Sequence, residues 1–204
     1  MSTSPAEVAT PGTGAGDPAP TARGRRRREA IVDAATALFD QRGFHATSID
    51  DIGAAAGISG PGLYRHFPSK DALLTAVFDR IWDRLRPAVD DAAGRPPAEA
   101  LRTLLAAHVE LALTDPGALR LLLRELRNVP DDYQRLAARN HRRWVDAWAS
   151  PLRELHDDLD ADRARALALA AHGAVDAATI RPADLPVEVR RVATIGAVER
   201  MLGL

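Results

Sequence analysis

The sequence predicts an all-α protein, with an N-terminal three-helix helix-turn-helix domain joined by helix 4 to a second, larger helical domain. Two observations predict the all-α class. Leu and Ala dominate an apolar content of 46%, and these residues recur with the spacing of amphipathic helices. A third observation predicts the DNA-binding domain. Between Ser48 and Asp71, two short helical patterns flank Gly57, as in a helix-turn-helix that places its second helix in the DNA major groove.

Composition limits the other possibilities. The 204 residues are enough for one large domain or two small ones. Cysteine is absent, which excludes disulfides and thiolate metal sites and suits a reducing compartment. No run reaches about 18 apolar residues and the N-terminus lacks an apolar signal core, so we expect a cytoplasmic protein without a membrane contact.

Charge and composition divide the chain into three parts. Residues 1–22 are mostly Pro, Gly, Ala, Ser and Thr, and we expect them to form a disordered tail. Residues 23–70 carry seven Arg and one Lys against five acidic residues, and we assign them to the DNA-binding domain. Residues 71–204 carry 19 Arg against 21 acidic residues, and we assign them to the second, C-terminal helical domain.

An arginine run opens the second part of the chain, at Arg23 and Arg25–Arg28. One interpretation is a solvated charge run or the polar start of a helix. The other is an arm that contacts phosphates or enters the electronegative minor groove, and the neighbouring helix-turn-helix favours this for some of Arg25, Arg26, Arg27 and Arg28.

Turn and capping residues place the first four helices. Helix 1 runs from about Arg25 to Arg42, and Gly43 supplies its left-handed end. Thr47 or Ser48 caps helix 2, and Ala54–Ala56 allow close approach of the next helix. The remaining signals are Gly57 at the turn, Ser59 as the cap of helix 3 with Pro61 in its first turn, and Ser69 as the cap of helix 4.

These residues resemble the DNA-binding domain of the TetR family of transcriptional regulators. The resemblance covers Arg25 to about Val77 and rests on the linked runs LFDQRGFHATSIDDIGAAAGIS and GLYRHFPSKDALL. It implies a homodimer that binds a near-palindromic operator in double-stranded DNA. It also implies a helical C-terminal domain that dimerises and binds a small-molecule effector.

The resemblance also assigns residues to DNA. Thr47 matches a phosphate-contacting hydroxyl, although a cap is the alternative role. Tyr64 and His66 match positions that hold phosphates or bases, and Lys70 matches a basic residue that holds a phosphate. Arg65 is the candidate for reading a base, with a phosphate contact as its alternative. The full predicted DNA-binding set is Arg25, Arg26, Arg27, Arg28, Thr47, Ser48, Ser59, Gly60, Pro61, Gly62, Tyr64, Arg65, His66 and Lys70.

One segment departs from the family pattern. A basic or hydroxyl residue commonly opens helix 3, but this chain has Gly60, Pro61 and Gly62. Recognition of DNA bases must then depend on close approach of the main chain to the DNA, on Pro61 and Arg65, and on the arginine run. The operator sequence does not follow from these residues.

The C-terminal part contains five further helical patterns, and polar residues on their apolar faces are candidates for a ligand site. We expect the ligand between helices 4 and 8, at His108, Leu123, Asn140, Trp144, Trp148, His172 and Asp176. For His108 and Asn140 the alternative is a hydrogen-bonded core polar group. His172 and Asp176, four residues apart, are spaced to bond to each other, line the pocket or join the dimer interface. The Leu and Trp content favours a hydrophobic or acyl-type ligand.

The last two helices are candidates for dimerisation. Helix 8, about Ala161 to Ile180, is rich in small residues, and helix 9 carries Val189, Val192 and Ile195. Their apolar faces can pack within one chain or build a four-helix interface between two chains, which the resemblance favours.

Enzyme functions find little support. The sequence has no phosphate-cradling glycine loop, no nucleophile elbow and no metal-ligand spacing, so we expect no cofactor and no metal. The leading hypothesis is a ligand-responsive repressor. The alternatives are an activator or constitutive binder whose C-terminal domain only dimerises, and a small-molecule-binding or enzymatic protein with a vestigial helix-turn-helix.

Overall fold

Helices make up the fold, and the computed structural model describes residues 22–180 and 184–204. Within these ranges no strand occurs, which confirms the all-α prediction. The predicted disordered tail lies outside the described residues, apart from Ala22. The nine α-helices described are α1 (Ala22–Arg42), α2 (Ile49–Ala55), α3 (Gly60–Tyr64), α4 (Lys70–Ala92), α5 (Pro97–Thr114), α6 (Pro116–Glu125), α7 (Asp131–Leu155), α8 (Ala161–Ile180) and α9 (Val187–Leu202), with a 3-10 turn at Leu126–Asn128.

Helices α1–α3 pack around a small apolar core, and we call residues 23–70 the head. α1 buries Ile31, Ala35 and Phe39, which lie four residues apart and so share one face. Gly43 ends α1 at φ +86°, in the left-handed region that favours glycine. Leu63 is fully buried beneath this face.

Capping residues fix the short helices of the head. Ser48 caps α2 in a reciprocal capping box with Asp51, Ser59 caps α3, and Ser69 caps α4. The turn before α3 lies at Gly57, where φ is +67°. These positions agree with those predicted, with Ser48 rather than Thr47 as the cap of α2.

The close approach after α2 occurs at a residue other than those predicted. Gly53 is buried, and a Cβ atom there would lie 2.9 Å from the carbonyl oxygen of Ile58. Ala54 and Ala55 instead face solvent. A glycine is needed because the α2–α3 turn folds its main chain directly over this position.

Helix α4 connects the head to the C-terminal helices. Its 23 residues correspond to about 35 Å. It packs against α1 at its start and against α5, α6 and α7 further along. Phe78 and Ile81 are buried in a core that continues through α5, α7 and α8.

Candidate functional site

The exposed face of the head lies at the end of α3. Leu63 is buried, whereas Tyr64 is 54% exposed and Arg65 is exposed. Neither the Tyr64 nor the Arg65 side chain forms a hydrogen bond or ion pair with another described residue. Their polar groups are therefore accessible to an external partner. His66 is half-buried, and its carbonyl accepts a hydrogen bond from Arg28 at 3.1 Å.

Two of the three residues that open α3 are explained by packing. A Cβ atom on Gly60 would lie 2.3 Å from Asp50 Oδ1, and one on Gly62 would lie 3.2 Å from Ser59 Oγ. Ser59 Oγ also accepts the Gly62 N–H at 3.3 Å. Gly60 thus leaves room for the Asp50 side chain of α2 and Gly62 for the cap residue Ser59, while Pro61 is exposed.

Thr47 does not present its hydroxyl to solvent. The residue is 1% exposed, and Oγ1 donates to the carbonyl of Gly43 at 2.9 Å and lies 3.3 Å from that of Leu38. In this arrangement the hydroxyl is bonded within the head, and the phosphate contact of Thr47 stays a prediction. A buried hydroxyl needs a partner, and the end of α1 supplies unpaired carbonyls. Ser48, one residue later, is exposed and bonded to Asp51.

Lys70 also faces inward. Its Nζ donates to the carbonyls of Phe44 at 2.9 Å and Thr47 at 3.1 Å, and it lies 4.5 Å from the centre of the Phe44 ring. Two of its three N–H groups are used in this way. Lys70 thereby joins the start of α4 to the α1–α2 loop, and its phosphate contact stays a prediction.

The arginine run is helical, since α1 already begins at Ala22, which agrees with its interpretation as the polar start of a helix. Its contacts with DNA stay a prediction. Arg27 donates to the carbonyl of Ala56 at 3.3 Å. Arg28 donates to that of His66, and its guanidinium lies 4.0 Å from the centre of the Phe67 ring. These two arginines hold α2 and α3 against α1, while Arg25 and Arg26 are exposed.

A second candidate site lies among the C-terminal helices. A cavity of about 410 Å³ lies between α4, α5, α6, α7 and α8. This volume is within the range of small-molecule sites. Its lining is mostly apolar and consists of Ile81, Trp82, Leu85, His108, Leu119, Leu122, Leu123, Leu126, Ala137, Ala138, His141, Trp144, His172 and Asp176.

Five of the seven predicted ligand residues line this cavity: His108, Leu123, Trp144, His172 and Asp176. The other two do not. Trp148 is fully buried behind the lining, with its ring centre 4.8 Å from that of His172. Asn140 lines a separate cavity of about 120 Å³ between α4 and α7, because its position on α7 points away from α8.

An aromatic cluster forms one wall of the cavity. His108, Trp144, Trp148 and His172 contact one another with ring centres between 4.8 and 6.4 Å apart. Burial, together with the neighbouring His108 and His141, lowers the pKa of His172 to about 3. His172 is therefore neutral at physiological pH.

The acidic residue of this wall is paired across two helices. His108 Nε2 on α5 lies 3.0 Å from Asp176 Oδ1 on α8. Of the roles considered for His172 and Asp176, both residues line the cavity, and Asp176 bonds to His108. Helix packing, rather than spacing within α8, decides the partner.

Sequence reasoning missed Trp82 and His141 as cavity residues. Trp82 lies three residues before Leu85 on α4, and His141 lies three residues before Trp144 on α7. Residues at this spacing are neighbours on a helix surface. Extending each apolar stripe by one neighbouring position would have included both.

Helix α6 lies between the cavity and the head. Leu119, Leu122 and Leu123 face the cavity. On its other side, Arg120 Nε lies 3.1 Å from Asp40 Oδ1 at the end of α1, and Arg124 donates to the Phe39 carbonyl at 3.2 Å. Arg124 also pairs with buried Glu125. Arg127 takes no part in this pair.

The last helices leave apolar side chains uncovered. Leu169 on α8 and Val189 and Val192 on α9 are 47%, 50% and 63% exposed. Ala166, Ala170 and Gly173 are exposed on α8 as well. Val198 and Leu202 are buried within the chain.

Two further observations bear on function. Across residues 22–180 and 184–204, none of the helices is long and apolar enough to span a bilayer. In the same part of the chain, no three His, Asp or Glu side chains are grouped to hold a metal ion.

A helix-turn-helix head on an all-helical C-terminal part defines a class of DNA-binding regulators. Residues 31–77 match the family described as bacterial regulatory proteins, tetR family. The chain is 31% identical over 150 residues to the HTH-type transcriptional repressor KstR2 of Mycobacterium tuberculosis, a match that covers 67% of this chain and 72% of that protein. The chain belongs to the TetR family of transcriptional regulators.

Two other known proteins match this chain over different shares of its length. The uncharacterized HTH-type transcriptional regulator YerO of Bacillus subtilis is 33% identical over 103 residues, which are 48% of this chain and 36% of that protein. The structure of AibR in complex with isovaleryl coenzyme A and operator DNA shares the fold. Its TM-score is 0.70 at 20% identity, over 84% of this chain and 97% of that chain.

Proposed function

We propose that the protein is a ligand-responsive repressor that binds a palindromic operator as a homodimer and is released by a small-molecule effector. The observation that carries this proposal is the position of α6. One face of this helix lines the cavity, and the opposite face is bonded to the end of α1 in the head. A ligand that moves α6 therefore acts on the element that positions the DNA-binding helices.

The head supports binding to DNA. Residues 23–70 have a net charge of +3, from seven Arg and one Lys against five acidic residues. In the proposed complex, α3 enters the major groove, Arg65 contacts a base and Tyr64 contacts a phosphate. Arg25 and Arg26 add phosphate contacts from the start of α1. The relative KstR2 is named a repressor, and the AibR structure contains operator DNA.

The uncovered faces of α8 and α9 support the homodimer. Leu169, Val189 and Val192 are exposed on adjacent helices, and the exposed small residues of α8 allow a second pair of helices to approach closely. Two such pairs form a four-helix interface with two-fold symmetry, which matches the symmetry of a palindromic operator.

Release follows from the separation of the two heads. The two copies of α3 must enter major grooves about 34–36 Å apart. A ligand in the cavity pushes on Leu122 and Leu123, and the Arg120–Asp40 ion pair transmits the shift of α6 to α1. DNA is released because the ligand binds more tightly to the arrangement in which the heads no longer match this spacing.

The first experiment tests the head. An operator is selected from a random duplex library with the purified protein, and its affinity is measured by fluorescence anisotropy at several salt concentrations. We expect log affinity to fall linearly with log salt, because phosphate contacts release counterions. Arg65→Ala should weaken binding by about 1–3 kcal/mol in each subunit.

Arg153→Ala is the matched control, since Arg153 is exposed on α7 and has no ion pair within the described part of the chain. This control should bind as the parent does. If Arg65→Ala also binds as the parent does, the assignment of α3 to the major groove is wrong. Operator affinity that does not change with salt concentration would contradict the phosphate contacts, and with them the DNA-binding role proposed for the head.

A further inference from the structure

The cavity opens to solvent between α6 and α7. Leu123, Ala138 and His141 belong to its lining and are also exposed, with Leu123 at 61%. Leu123 therefore offers an apolar contact to a ligand at the cavity entrance. These three residues define what we call the mouth.

Arginines lie on both sides of the mouth. Arg135 precedes Ala138 by three positions and Arg142 follows it by four, so both are its neighbours on the surface of α7. Arg127 follows Leu123 by four positions. The side chain of Gln134 donates to the Arg127 carbonyl at 3.4 Å, which holds Arg127 beside the first turns of α7.

The charges of these three arginines are not compensated within the described part of the chain. Arg127, Arg135 and Arg142 are exposed and form no hydrogen bond or ion pair there through their side chains. Some arginines elsewhere on the C-terminal helices are paired, as Arg102 is with Glu199 and Arg165 with Asp146, whereas Arg139 and Arg153 form no ion pair with a described residue. Asp131 and Asp132, in the first turn of α7, form no ion pair with a described arginine. Glu125, two residues before Arg127, pairs with Arg124, and Asp146, four residues after Arg142, pairs with Arg165.

The interior of the cavity has the opposite character. Its lining contains neither Arg nor Lys among the described residues, and its acidic group is Asp176. His172 is neutral because its pKa is lowered to about 3. An anionic group placed inside would lose its hydration and gain no Arg or Lys partner among the described lining residues, which is unfavourable.

We propose that the effector is an anionic amphiphile, with its apolar body inside the cavity and its anionic head group at the mouth, held by Arg127, Arg135 and Arg142. The inference deepens the proposed function and rests on it for the role of the ligand. Carboxylate and phosphate groups both suit arginine, so a free acid and an acyl thioester on a phosphate-bearing carrier share this chemistry.

The tryptophans provide a direct test of binding. All three in the chain belong to this site, because Trp82 and Trp144 line the cavity and Trp148 lies behind it. Tryptophan fluorescence is titrated with decanoate, decanoyl-coenzyme A, decan-1-ol and decyltrimethylammonium, each below its micelle concentration. The tail is the same in all four probes, so differences in affinity measure the head group and distinguish a free acid from a carrier thioester.

We expect at least one of the two anionic probes to bind about tenfold more tightly than decan-1-ol, and decyltrimethylammonium to bind most weakly. The triple variant Arg127→Gln, Arg135→Gln, Arg142→Gln should lose this preference while its affinity for decan-1-ol is unchanged. Arg153→Gln should keep the preference. Far-ultraviolet circular dichroism checks that each variant is folded.

Three outcomes overturn the inference: equal affinity for charged and uncharged probes, an unchanged preference in the triple variant, or no binding of any probe. Operator anisotropy separates these outcomes from the proposed function. Release of DNA by decan-1-ol would leave the proposed function standing without the arginine site. Arginine-dependent binding of decanoate without release of DNA would leave the site standing without the proposed switch.

Discussion

The head and the cavity use polar side chains in opposite ways. In the head, Thr47, Lys70 and Arg28 donate to main-chain carbonyls and join short elements that have little stability alone. In the cavity, Trp82, Trp144 and His172 have buried ring nitrogens without a hydrogen-bond partner in the described structure. The head is thus a preorganised surface, whereas the cavity wall carries polar atoms at a cost in stability.

The difference indicates where each region can change. Contacts that tie α2, α3 and α4 to the end of α1 leave Tyr64 and Arg65 on a rigid support. The cavity is lined by five helices whose side chains meet mainly through apolar contacts, and such contacts rearrange without breaking directional bonds. We therefore expect the ligand to move helices around the cavity and the head to follow as a unit.

The largest expected effect tests the rigidity of the head. Lys70→Met removes the donor to the carbonyls of Phe44 and Thr47. Hydrogen bonds from charged groups contribute about 1.5–3 kcal/mol each, and both carbonyls lose a partner. We expect the free energy of unfolding in urea to fall by about 2–3 kcal/mol.

Lys70→Arg serves as the companion variant, since it keeps the positive charge but not the geometry of the ammonium group. An intermediate stability is expected. If Lys70→Met instead unfolds at the parental urea concentration and loses only DNA affinity, Lys70 holds a phosphate. The head would then depend less on internal hydrogen bonds, and its contrast with the cavity would be smaller.

The next effect concerns the cavity wall. His172 has a folded pKa of about 3 and an unfolded pKa near 6.5, so below pH 6.5 the unfolded state binds the proton more readily. The contribution of neutral His172 to the free energy of unfolding is fully present above pH 6.5 and is lost as the pH falls toward 3. At pH 5 the loss is about 2 kcal/mol.

Urea unfolding at pH 7.5 and pH 5 measures this loss. His172→Phe keeps an aromatic ring but cannot be protonated. Between pH 7.5 and pH 5 its free energy of unfolding should therefore fall by about 2 kcal/mol less than that of the parent. His45→Gln, a change at an exposed histidine, should leave the parental loss intact. An identical pH dependence in the parent and His172→Phe would mean that the wall accommodates a charged histidine.

The smallest expected effect concerns the junction between the two regions. Arg120→Gln removes the ion pair with Asp40 that joins α6 to the head. We expect operator affinity without ligand to change little and the ligand-induced loss of affinity to shrink by about 0.5–2 kcal/mol.

The measurement is operator anisotropy with and without the tightest-binding probe of the fluorescence titrations. Arg102→Gln, which removes an ion pair between α5 and α9, is the control. Undiminished release by Arg120→Gln would assign the coupling to α4, whose long contact with α5 offers another route. No release by any probe in the parent would favour the alternative of a constitutive DNA binder.

The sequence predicted the head better than the cavity for a physical reason. Gly43, Gly57, Ser48 and Ser59 act on neighbouring residues, so their roles can be read locally. The direction of Lys70 could not, because its partners lie 26 and 23 residues earlier in the chain. A charge that matches the family pattern does not reveal whether it faces a phosphate or a carbonyl.

The cavity shows the same limit of sequence-based prediction, for partners that lie further apart in the chain. Apolar stripes identified His108, Trp144 and His172 as facing the interior, since helical spacing determines which residues share a face. The partner of His108 is Asp176, 68 residues away, and depends on how α5 packs against α8. Asn140 lies one turn before Trp144 and still falls outside the cavity.

The inward position of Lys70 has a chemical consequence. Lys70 is the only lysine in the chain, and its Nζ lies between two carbonyls and the Phe44 ring. Acylating reagents need a free, deprotonated amine, so Lys70 should react only when the start of α4 separates from the α1–α2 loop. Its rate of acylation, followed by peptide mass spectrometry, therefore records how often the head opens, and bound operator should slow that rate.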